Sequence, residues 1–110
     1  DISAVLQETI EGAGYQIVKN LTGHGIGKEL HQEPMVPGFG KRGVGPKLKA
    51  GMTIAIEAIY AQKSGEVVLE NDGWTISTED GSLGGLFEKT ILITENKPII
   101  WAESCSQRAL

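Results

Sequence analysis

Gly23-His24-Gly25-Ile26-Gly27 constrains this chain more than any other stretch, because it sets a histidine between two residues that carry no side chain. Glycine on both sides lets a strand backbone approach its neighbour closely and leaves the imidazole accessible to a ligand. A second histidine, His31, follows shortly before Glu33 and Pro34. Neutral imidazole is a common metal ligand. Read singly, His24 is a satisfied core histidine and His31 a surface residue; their company changes that reading.

That company is two glutamates inside apolar, strand-like runs. In Thr53-Ile54-Ala55-Ile56-Glu57-Ala58-Ile59-Tyr60, alternation puts Thr53, Ala55, Glu57 and Ile59 on one face and Ile54, Ile56, Ala58 and Tyr60 on the other. Both faces are mainly apolar, so the strand is expected to be covered on both sides. An unpaired carboxylate there costs several kcal/mol or loses its charge. A metal or a basic side chain must compensate it. Glu88 repeats the pattern in Leu86-Phe87-Glu88-Lys89-Thr90-Ile91-Leu92-Ile93, with Lys89 on the opposite face and read as a snorkelling edge-strand lysine. A His/Glu/Glu set suits a divalent ion such as Mn, Fe, Co or Zn. The helical HExxH zinc pattern and paired-cysteine zinc spacings are absent.

At 110 residues the chain is at most one domain, able to bury roughly two thirds of its unfolded surface. Ten basic residues against 14 acidic ones argue against a nucleic-acid partner, as does the lack of a basic run. No apolar stretch approaches the roughly 18 residues of a membrane span. The single cysteine, Cys105, favours a reducing, cytoplasmic setting. The chain opens at Asp1 rather than at a methionine, which reads as a fragment.

Ile2, Val5, Leu6, Ile10 and Ala13 predict an N-terminal helix capped by Asp1 or Ser3 and ended by Gly12 and Gly14. Tyr15 to Thr22 reads as a strand leading into His24. Glycines and prolines from Pro34 through Pro46 read as a loop with a solvated rim of Lys41, Arg42 and Lys47. Strands follow over 52–60, 66–70, 74–79, 86–94 and 98–101, and residues 102–110 read as a fraying polar tail. The class is α+β, dominated by an antiparallel sheet behind an N-terminal helix.

Gly23 to Gly27 with His31, Glu33 and Pro34, then Gly51-Met52-Thr53 through Glu57, Asp72-Gly73-Trp74-Thr75, and Phe87-Glu88-Lys89-Thr90 resemble type I methionine aminopeptidases, in that family's order. The resemblance covers about residues 1–100 and implies the C-terminal lobe of a pita-bread fold, with residues 1–101 as the lobe. It implies that His24, Glu57 and Glu88 are metal ligands, with Glu88 bridging two ions and Glu57 also handling the proton of the attacking water. His31 would hydrogen-bond the scissile amide, and Trp74 and Leu30 would line the pocket of the methionine side chain. Ala58 and Lys89 depart from the family's usual proline and histidine. The family's two aspartate ligands belong to its N-terminal half, so this chain alone is expected to hold at most one divalent ion (Co, Mn, Fe or Zn) and to be inactive. The implied partners are a peptide or nascent chain beginning with methionine, and either the missing N-terminal half or a second copy. A proline-directed aminopeptidase of the same fold and a metal-free binding module are the rival readings.

Overall fold

The computed structural model describes residues 1–103; the rest of the tail expected to fray lies outside the described residues. Helix α1 (Ile2–Gly12) is followed by β1 (Gln16–Ile17), β2 (Gly23–Ile26), β3 (Gln32–Val36), β4 (Thr53–Ala61), β5 (Val67–Leu69), β6 (Ile76–Thr78), β7 (Gly84–Leu92) and β8 (Ile99–Glu103). The larger sheet runs β3-β2-β4-β7-β8, every pair antiparallel, and β1 joins β4 at its far end. The hairpin β5-β6 forms a second, two-stranded sheet.

The helix ends as expected, since Gly14 takes φ +89° and Tyr15 N–H reaches back to the Ile10 carbonyl at 3.1 Å. Its buried face differs from the predicted stripe. Ala4 and Ile10 are buried and Ile2 packs on the core, whereas Val5 is 48% exposed. Asp1 occupies the cap position without capping. Its carboxylate instead accepts the Gly43 N–H at 2.8 Å, and Arg42 pairs with Glu8 at 2.7 Å. The glycine-rich loop is thereby strapped to the start of the helix.

Three expectations about the strands are corrected. The stretch 15–22 is not one strand: β1 stops at Ile17, a turn at Lys19 and Asn20 intervenes, and β2 restarts beside the other half of β4. Residues around Pro34 form β3 rather than loop, which a proline tolerates because β3 is an edge of the sheet. Lys89 lies on an interior strand, because β8 pairs outside β7, and its Nζ sits 5.2 Å from the Phe87 ring.

Val36, Ile54 and Ile91 form the core, with Ile2, Ile56 and Ile93 packed against it, so α1 covers the Ile54 face of the sheet. The Glu57 face is not covered in the same way. Glu57 and Glu88 are half-buried, and no polar or charged residue among those described is fully buried. The site is therefore built on an open face.

Candidate metal centre

β2 lies between β3 and β4 only because its glycines lack side chains. A Cβ on Gly23 would stand 2.3 Å from the Ala55 carbonyl oxygen, and one on Gly25 would stand 2.2 Å from that of Glu33. The close approach pairs His24 with Ala55, two residues from Glu57 on the same face of β4. Glu57 in turn is the direct cross-strand partner of Glu88 on β7. Three adjacent strands thus deliver one donor each to a single patch. One ligand atom from each of His24, Glu57 and Glu88 lies within 4.8 Å of the others.

His24 Nδ1 lies 2.9 Å from the Gly25 carbonyl oxygen, which only accepts, so the proton sits on Nδ1. Nε2 then faces Glu57 Oε1 at 3.2 Å. That second contact needs a proton or a cation between its two atoms. Donors sharing one divalent ion through bonds of about 2.1 Å stand about 3 Å apart, so the spacing suits an ion. The tautomer suits it too, since a ligating histidine commonly donates its other N–H to a carbonyl.

Burial raises the pKa of Glu57 above its ordinary value, and the neighbouring Glu88 charge raises it further. The His24 contact pulls in the opposite direction without cancelling them. Like charges directly opposite on antiparallel strands destabilise a sheet. A cation is the natural counterweight, and hard or borderline divalent ions fit this N/O donor set.

The chain matches the family model described as metallopeptidase family M24 over residues 1–95. It belongs to that family. Within M24 the chain is similar to the methionine aminopeptidase of Clostridium perfringens, with 45% identity over 100 residues that make up 91% of this chain and 40% of the relative. The methionine aminopeptidase of Aquifex aeolicus is 42% identical over 107 residues, covering 94% of this chain and 41% of that protein. The crystal structure of methionine aminopeptidase from Thermotoga maritima superposes with a TM-score of 0.91 at 44% identity, covering 94% of this chain and 42% of that one. The fold is thus one lobe of the pita-bread architecture, and the chain spans about two fifths of the length of the relatives it matches.

The structure brings together four of the residues singled out in the sequence. His31 is exposed, and its ring centroid lies 4.2 Å from that of His24. Glu57 and Glu88 complete the group. Leu30, 69% exposed, precedes His31 in the turn between β2 and β3. Trp74 lies at the tip of the β5-β6 hairpin, 87% exposed, and so is not a core aromatic of this lobe. Asp72 fixes its backbone by accepting the Trp74 N–H at 2.9 Å and the Thr75 N–H at 2.8 Å. The role of the Gly25 carbonyl escapes a reading based on side chains. Its signal was the second glycine of the Gly-His-Gly triplet, read there only as space.

Proposed function

We propose that this chain is the metal-holding C-terminal lobe of a methionine aminopeptidase, which removes the initiator methionine from polypeptides. The observation that carries the proposal is the convergence of His24, Glu57 and Glu88 from three neighbouring strands onto one open face. These three residues would hold divalent metal, which supplies a Lewis acid for the scissile carbonyl and lowers the pKa of bound water.

Glu57 is the proton acceptor. Its carboxylate stands beside His24 and Glu88, within reach of a water held at the same patch. His31, beside His24 and exposed, hydrogen-bonds the scissile amide and favours the tetrahedral arrangement. Trp74 and Leu30 offer the apolar surface that a methionine side chain covers. The remaining ligands come from the part of the fold that these residues do not span, so the isolated chain is inactive and binds one ion weakly. A single cysteine is in keeping with a cytoplasmic site of action, and no helix among the described residues is long and apolar enough to cross a membrane.

Cleavage of Met-Ala and Xaa-Pro peptides by the full-length protein tests the proposal. Methionine release that is abolished by Glu88→Gln supports it; preferential Xaa-Pro cleavage, or undiminished kcat in the variant, overturns it.

A further inference from the structure

The open face continues past His24 toward the β3 edge, where it sinks into a hollow of about 420 Å³ lined by Thr22, His24, His31, Gln32, Glu33 and Met35. Met35 is the direct cross-strand partner of His24, and Glu33 lies in the irregular stretch where β3 steps out of register with β2, so that both border the hollow. Thr22, two residues before His24, extends the same row. The walls therefore combine an exposed thioether, a hydroxyl, an amide and an exposed carboxylate.

The hollow shares His24 and His31 with the metal centre and lies on the β3 side of it. Neither Trp74 nor Leu30 lines the hollow. A peptide whose first side chain covers Leu30 and Trp74 and whose scissile amide lies at His31 leaves the hollow to the residues that follow. β3 lies two strand spacings from β4, about 10 Å, and an extended chain spans that in about three residues.

We propose that this hollow is a downstream substrate subsite, holding the second and third residues after the methionine, and that Glu33 and Met35 make it select side chains with an apolar stem and a positive end. Met35 is 56% exposed and gives the stem a surface to cover. The Glu33 carboxylate faces solvent, with one oxygen accepting the Met35 N–H at 3.3 Å, and supplies the charge. Lysine and arginine fit both features; glutamate and aspartate meet repulsion. This inference rests on the proposed function and narrows its substrate class.

The test is kcat/KM of the full-length protein on Met-Ala-Lys-Lys and Met-Ala-Glu-Glu peptides, with Met-Ala-Ser as the internal reference. The expected preference for the basic peptide is about two- to fivefold, the range of a solvent-exposed ion pair, and it shrinks at high salt. Glu33→Gln should bring the ratio near one and Glu33→Lys should reverse it, with Met-Ala-Ser cleaved at an unchanged rate by both. A ratio that both variants leave unchanged overturns the subsite while the proposed function stands. Failure of the unsubstituted protein to cleave any of the three peptides overturns the proposed function and the subsite with it.

Discussion

Glu57 and Glu88 face each other as direct cross-strand partners at the centre of an antiparallel sheet, on adjacent strands β4 and β7. Without a cation this pairing works against the fold, since like charges in that position cost about 0.2–1 kcal/mol. Glu88→Gln should therefore stabilise the metal-free chain by that amount and abolish the rise in melting temperature that Mn²⁺ or Co²⁺ produces. Thermal unfolding with and without metal reads both effects. A variant less stable than the parent without metal would contradict the repulsion.

The same strain has a pH signature. The folded state raises the Glu57 pKa above its ordinary value of 4.5, through burial first and the Glu88 charge second. Between those two values the folded chain binds more protons than the unfolded one, so stability falls as pH rises. The contribution is complete below about pH 4.5 and is lost as pH climbs through the raised value. Urea midpoints of the metal-free chain, followed upward from pH 4.5, should decline more steeply in the parent than in Glu57→Gln. Asp80 has the opposite sign: hydrogen bonds from Ser82 and Ser64 hold it at about 2, so its contribution appears above about 3.8 and is lost as pH falls toward 2.

The glycines around His24 bear on packing as well as access. Gly25→Ala drives a Cβ into the Glu33 backbone, with the carbonyl oxygen 2.2 Å away, so β2 and β3 must part. A cost of about 1–3 kcal/mol follows from such overpacking, together with loss of His24 as a donor. Gly12→Ala meets nothing within 4 Å and serves as the contrast, gaining about 0.4–1 kcal/mol through the unfolded state. Urea denaturation of the two variants, expected to shift in opposite directions, checks the argument.

Trp74 sits outside the core, so Trp74→Ala should change unfolding free energy by no more than about 0.5 kcal/mol. In the full-length protein the same substitution should raise KM for methionyl peptides while metal affinity stays unchanged. At the base of that hairpin, Asp80 accepts the Ser64 N–H at 3.0 Å and the Ser82 N–H at 2.9 Å. Asp80→Ala should lose amide-exchange protection at Ser64 and Ser82 and leave β4 and β7 protected.

Much of this was legible in the sequence because the signals were local. Period-two alternation put Glu57 and Glu88 on chosen faces of their strands, and turn residues separated the strands. The structure kept both faces and added what alternation alone does not carry: that the two glutamates are cross-strand partners. Pro34 misled because a proline reads as loop unless the strand is known to be an edge, which is a property of the whole sheet. Lys89 misled for the converse reason, since the pairing of β8 makes its strand interior. The openness of the Glu57 face was also illegible, because apolar residues on both faces read alike whether a second layer lies within these residues or outside them.

His24, Glu57 and Glu88 are proposed to hold a divalent ion together. Calorimetric titration of the metal-free chain with Co²⁺ or Mn²⁺, set beside the same titration of Glu57→Ala, is the decisive measurement. One weakly held ion per chain, lost in the variant, is the expected result. Binding of the same strength in Glu57→Ala would show that the ion sits elsewhere, and the metal centre described here would not stand.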